Sequence, residues 1–206
     1  MRKLIVPAFI SLDGVVQAPG GPQEDTGGGF THGGWIWPYA DESGEVMGGV
    51  FERPFELLLG RRTYDIFAAY WPHVAEGAPH QRIADLFNGT IKHVATRHPA
   101  TLGWKNSRAL GPDIVAAVRG LKRSEGSDLV TQGSSDLVHQ LLATDLVDEL
   151  RLLVYPVLLG RGKRLFDERA QAAAFRLEAF RATTTGVLVN RYVRTGEVQT
   201  GSFEPA

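Results

Sequence analysis

The feature that most constrains this chain is its punctuation. Apolar runs of strand length alternate with amphipathic stretches, and many of the junctions carry glycine, serine, threonine or proline. That alternation is the pattern of an α/β domain whose strands are covered on both faces. Strands are predicted over residues 3–10, 57–60, 91–96, 128–131, 149–155, 175–183 and 187–194, and helices over 44–55, 63–69, 80–87, 112–122 and 134–143. Pro112 suits a first helical turn, and Ser134 or Ser135 suits a helix N-cap. Towards the C-terminus the runs LRLLVYPVLLG, FRLEAFRATTT and GVLVNRYVR follow one another without a crossover helix, and Thr185-Gly186 reads as a hairpin turn. A mixed sheet is therefore expected, parallel early and antiparallel at the end, in a single domain over 1–195 with a tail over 196–206.

Several function classes are excluded early. With 22 Lys+Arg against 23 Asp+Glu, the formal charge of -1 advertises neither a nucleic-acid nor an anionic-membrane partner. Cysteine is absent, which removes disulfides, thiolate zinc sites and cysteine nucleophiles together. The 6 histidines show no short helical spacing that would make a metal pair. The opening MRKLIVPAFISL has a basic pair before an apolar run, but the run is short and contains Pro7, so it reads as a first strand rather than a secretory signal. The run LLVYPVLLG is too short to span a bilayer. A cytoplasmic protein is expected.

Three predicted strand ends share a turn of backbone donors and small hydroxyl residues just before a helix. They are Gly60-Arg61-Arg62-Thr63, Ala95-Thr96-Arg97 and Gln132-Gly133-Ser134-Ser135. A helix start has unpaired N–H groups and the positive end of a dipole, so it attracts phosphate. One such turn is an ordinary cap; three in one chain, two with arginine, favour a phosphorylated ligand. No G-x-G-x-x-G opens the first helix, no G-x-x-x-x-G-K-[ST] occurs, and no G-x-S-x-G elbow is present.

The segments SLDG (11–14), LLLGRRTY (57–64), VATRHP (94–99), DLVTQGSSDLVHQLL (128–142) and VDELRLLVYPVLLGRGKRLF (147–166) resemble the dihydrofolate reductase superfamily. Within it they are most similar to the reductase domain of the riboflavin-biosynthesis bifunctional deaminase-reductase. The resemblance runs through nearly the whole chain in order, and it implies a dihydrofolate-reductase-like α/β fold with NADPH lying across the carboxyl ends of the strands. The deaminase half would need a cysteine-rich zinc motif, so the chain looks like a stand-alone reductase domain.

Carried over, Arg61 would hold the adenosine 2′-phosphate, Thr63 would donate to the pyrophosphate, and Arg62 would assist one or the other, with Gly60 allowing the close approach. Thr96 and Arg97 would border the adenosine, while Gly133, Ser134 and Ser135 would hold the pyrophosphate. A guanidinium suits this work because its planar fork matches phosphate oxygens and keeps its charge. Ala8, Phe9, Asp13, Gly14 and Val16 would surround the nicotinamide.

A proton must also reach the reduced substrate, and Asp13, Asp41 or a water are the candidates. Asp41 reads equally as a helix cap, and Asp13 as a turn residue. His32, Trp35 and Trp37, in the long glycine-rich loop 17–38, read either as substrate-pocket aromatics or as the loop's hydrophobic anchor. Tyr155 reads as a strand-edge residue with a secondary ligand contact. The cluster of Arg161, Lys163 and Arg164 reads as a solvated loop or a substrate-phosphate contact.

The function expected from the resemblance is NADPH-dependent reduction of a small heterocyclic or sugar-linked substrate, by a homodimer formed through the late strands. The leading substrate class is the phosphoribosylamino-pyrimidine of riboflavin synthesis. The alternatives are dihydrofolate reduction and a non-catalytic nucleotide- or ligand-binding protein that retains the fold.

Overall fold

The computed structural model describes residues 1–40 and 49–203. Its eight strands are β1 (Leu4–Ser11), β2 (Phe55–Gly60), β3 (Lys92–Ala95), β4 (Ser107–Ala109), β5 (Asp128–Thr131), β6 (Glu149–Tyr155), β7 (Ala174–Ala182) and β8 (Leu188–Gly196). They form one sheet in the order β4-β3-β2-β5-β1-β6-β8-β7. The first six run parallel, with β1 between β5 and β6. The last two return antiparallel, β8 pairing with both β6 and β7. Among the described residues four α-helices flank the sheet: α1 (Arg61–Tyr70), α2 (Gln81–Gly89), α3 (Ile114–Arg123) and α4 (Ser135–Leu142). This is the mixed α/β architecture the alternation of runs implied.

The leucine run in β2 shows why the parallel strands read as continuous apolar segments. Leu57 and Leu59 enter one core with Tyr64, Phe87, Val130 and Leu153, while Leu58 enters the other with Leu4, Val118, Leu129 and Leu141. Side chains alternate across a strand, so a strand covered on both faces needs apolar residues at consecutive positions. Each of these leucines is fully buried, which contributes about 1.5–3 kcal/mol apiece as an upper estimate. β7, at the open edge, is exposed along most of its length.

Two expectations differ from what is found. β4 was not anticipated; it has three residues, none of them buried, and so carries no apolar signal. The helix expected over 44–55 lies partly outside the described residues, and its described part is a 3-10 turn at Gly49–Phe51 leading directly into β2. Pro54 accounts for that ending, since proline disfavours helical geometry at the preceding residue and lacks the N–H a helix would use.

The loop 17–38 is anchored rather than loose. The Trp35 indole N–H donates to the Gln17 carbonyl at 2.8 Å, and the Gly34 N–H donates to the Ala18 carbonyl at 2.8 Å. Trp35 meets Tyr155 edge to face at 5.3 Å between ring centroids. The loop's far end is therefore tied to its own start and to the core.

Candidate functional site

Two of the three glycine- and hydroxyl-rich turns are joined into one assembly. The Gly60 N–H donates to Ser134 Oγ at 2.9 Å, and that hydroxyl donates to Thr63 Oγ1 at 2.6 Å. A Cβ on Gly60 would stand 2.6 Å from Ser134 Oγ and 2.8 Å from its Cβ, so only glycine permits the approach. Gly133 and Ser134 both have left-handed backbone, at φ +72 and +68. For a non-glycine residue such as Ser134 that conformation costs about 1–2 kcal/mol, and its two hydrogen bonds offset the strain. Neither Gly60 at the start of α1 nor Ser134 at the start of α4 makes a side-chain cap to its helix.

These starts open on a cavity of about 580 Å³ outside the carboxyl ends of the central strands, the position where ligands of open α/β sheets bind. Ala8, Val16, Gly60, Arg61, Arg62, Thr63, Gly133, Ser134 and Ser135 all line it. The Gln132 side-chain oxygen and the Trp71 indole N–H, on two further lining residues, are buried without a hydrogen-bond partner among the described residues. A larger open groove of about 780 Å³ runs between residues 51–55 and α2. It lies the length of β2 away from Gly60, at the amino end of that strand.

The consecutive arginines have different surroundings. Arg61 is held by its own scaffold: Nε donates to Asp65 at 2.8 Å, and the guanidinium also reaches Thr101 Oγ1 at 2.6 Å and Thr96 Oγ1 at 3.3 Å. Thr96 thus positions Arg61 without lining the cavity itself, and Arg97 is exposed outside it. Arg62 instead pairs with Asp25 of the loop at 3.0 Å.

Of the other residues singled out from sequence, Asp13, Trp35, Trp37 and Tyr155 do not line this cavity, and Asp41 lies outside the described residues. Asp13 braces two loops, its carboxylate accepting from Ser11 Oγ at 2.6 Å, the Gly160 N–H at 2.8 Å and the Leu159 N–H at 3.1 Å. Burial works to raise this carboxyl, but those donors outweigh it and hold it below the usual aspartate range. Trp35 and Tyr155 are buried in the core, whereas Trp37 is 80% exposed.

Sequence reasoning missed several lining residues. Phe67 and Trp71 line the cavity, and they follow Thr63 at spacings of four, a helical-face signal legible in principle. Glu24 and Asp25 line it from the loop, and Lys163 from the segment after β6. No local pattern marks the two acids as lining residues, whereas Lys163 belongs to the basic cluster that reads from sequence as a solvated loop or a substrate-phosphate contact. Burial raises the Glu24 carboxyl, and the Gly20 N–H donated to it at 2.7 Å offsets this only partly. Burial also acts to raise Asp25, but Lys163, the Gly27 N–H and Arg62 prevail and hold it below the usual range.

The fold and site define a mixed-sheet α/β domain with two uncapped helix starts and an arginine-bearing turn around one cavity. Residues 2–189 match the family described as RibD C-terminal domain, and the chain belongs to that family. Its sequence is 25% identical over 191 residues to the uncharacterised protein YyaP of Bacillus subtilis (strain 168), covering 91% of this chain and 92% of that protein. It is 24% identical over 194 residues to YwjB of the same organism, covering 94% and 98%. Among solved structures it is similar to a putative riboflavin biosynthesis protein from Shewanella sp. PV-4, with TM-score 0.66, 20% identity and coverage of 94% of this chain and 99% of that one. It is also similar to a pyrimidine reductase-like protein from Corynebacterium diphtheriae, with TM-score 0.59, 14% identity and coverage of 95% and 93%. Family membership supports a reductase-like role, and the solved neighbours share the fold.

Proposed function

We propose that the protein is an NADPH-dependent reductase of a small heterocyclic or sugar-linked substrate. The observation that carries this reading is the pair of helix starts, α1 and α4, left without side-chain caps where both line one cavity beside Arg61. Unpaired N–H groups and aligned dipoles at two such starts suit a pyrophosphate. The Arg61 guanidinium, fixed by Asp65, Thr96 and Thr101, suits a terminal phosphate monoester and so selects the phosphorylated dinucleotide.

NADPH, when bound, supplies the hydride. The chain's own contribution is to hold and to orient. Gly60, Thr63, Gly133, Ser134 and Ser135 would bind the pyrophosphate, and Arg61 the 2′-phosphate. The apolar wall of Ala8, Val16, Phe67 and Leu165 would exclude water from the reacting end.

The test is titration of the protein with NADPH and with NADH, followed by tryptophan fluorescence. NADPH is expected to bind more tightly. Arg61→Ala should weaken NADPH by about 10- to 100-fold, the equivalent of one charge-assisted contact pair, and leave NADH nearly unchanged. If neither nucleotide binds, the reading fails.

A further inference from the structure

The loop side of the cavity already contains its own anion. Asp25 presents one carboxylate oxygen to Arg62 at 3.0 Å and the other to Lys163 at 2.6 Å. It is not a side chain that has swung onto two surface cations. The Gly27 N–H donates to the same carboxylate at 3.0 Å, which closes the turn around it. The buried Gln17 donates through its amide to the Asp25 carbonyl at 3.0 Å and the Gly27 carbonyl at 2.9 Å, and its side-chain oxygen accepts from the Lys163 N–H at 2.9 Å. The Gln17 carbonyl accepts from Trp35, which is packed in the core. One chain of contacts from the core therefore places both the carboxylate and one of its two cations.

We infer that Asp25 is an internal counter-ion that reserves the Arg62–Lys163 end of the cavity for an uncharged substrate ring and excludes substrates bearing a phosphate or carboxylate there. This rests on the reductase reading and narrows it. Two exposed cations facing a cavity would ordinarily serve an anionic substituent, but here a fixed carboxylate satisfies both. An arriving phosphate would either lie against Asp25, with like charges in contact, or displace its carboxylate from the Gly27 N–H and from both cations. Glu24, the neighbouring lining carboxyl, has no ion-pair partner among the described residues and makes that wall more hostile still to an anion. The cofactor phosphates are not affected, because Arg61 points to Thr96 and Thr101 and away from this pair. A phosphoribosyl substrate is accordingly disfavoured relative to a neutral nitrogen heterocycle.

The experiment compares ribose 5-phosphate with ribose by calorimetric titration of the protein saturated with NADPH, which fills the phosphate turns at 60–63 and 133–135. Asp25→Asn is the informative change, since the amide keeps an oxygen for the Gly27 N–H while removing the charge. The NADPH-saturated protein with Asp25 intact should show no preference for the phosphorylated sugar. Adding Asp25→Asn should raise its affinity for ribose 5-phosphate by at least about tenfold, one charge-assisted contact, and further addition of Lys163→Gln should abolish the gain. A preference of about tenfold or more for ribose 5-phosphate with Asp25 intact would overturn the inference, even if the Asp25 variant did not fold. So would a folded Asp25→Asn protein that gains nothing. NADPH titration of the wild type is read separately, so a failed cofactor reading is not mistaken for a failed substrate one.

Discussion

The start of α3 and the starts of α1 and α4 solve the same problem in different ways. At α3, Asp113 accepts from the Ala116 N–H at 2.9 Å, and Lys122 and Arg123 sit in the last turn where the dipole is negative. That helix is completed by its own side chains. At α4 the hydroxyl at the N-cap position, Ser134, is turned across to Thr63 and the Gly60 N–H, and at α1 the N-cap is Gly60, which has no side chain to offer. Those contacts join two helix starts but cap neither. The difference lies in what the two open starts face: the α2 start also lacks a side-chain cap but stands away from this cavity, whereas the starts of α1 and α4 are joined to each other and line it together.

The largest expected effect comes from breaking the joint between the open starts. Gly60→Ala places a methyl group within 2.8 Å of both Ser134 side-chain atoms, and overpacking of that kind costs about 1–3 kcal/mol. Because the displaced atoms belong to both turns, nucleotide binding should fall with stability. Thermal melting and NADPH titration of one preparation would check this; normal NADPH binding in a destabilised protein would break the comparison.

A second prediction probes a closed region. Glu149 is 1% exposed, and its carboxylate meets Arg151 at 2.6 Å and Arg191 at 2.9 Å across β6 and β8. Burial opposes its charge, but the hydrogen bonds from Arg191 and Arg151 prevail and hold its pKa below the ordinary 4.5. With the folded value below the unfolded one, the stabilisation is complete above the unfolded pKa and is lost as pH falls through the folded one. Glu149→Gln should cost about 2 kcal/mol at neutral pH and flatten the loss of stability below pH 4.5, with NADPH affinity unchanged. Denaturant melts across pH 3 to 7, run on both proteins, would show it.

How much of this was legible in the sequence follows the range of the forces. The parallel strands were readable because burial on two faces demands consecutive apolar residues, as in Leu57, Leu58 and Leu59. The turns at Gly60 and Gly133 were readable because glycine and hydroxyl residues before a helix are a local pattern. That Ser134 would bond Gly60, 74 positions away, was not, nor was the pairing of Asp25 with Lys163 over 138 positions. The loop's composition announced a long irregular segment. Which of its tryptophans would anchor it and which would stay exposed depended on packing against Tyr155, contributed by a different strand.

The smallest effect is the sharpest control. Removing the α3 cap with Asp113→Ala deletes one hydrogen bond to the Ala116 N–H at a surface position, a loss of about 1 kcal/mol in stability. Nothing in the cavity touches Asp113, so NADPH binding should be unaffected and the melting temperature should fall by a few degrees, roughly 2–4 °C for a chain of this size. Thr63→Ala removes a hydroxyl of similar size at the start of α1, and there the balance should reverse, with binding weakened more than stability. If both substitutions lowered stability alike and neither changed binding, the open helix starts would be no different from the closed one, and the cavity would lose the feature that marks it as a phosphate site.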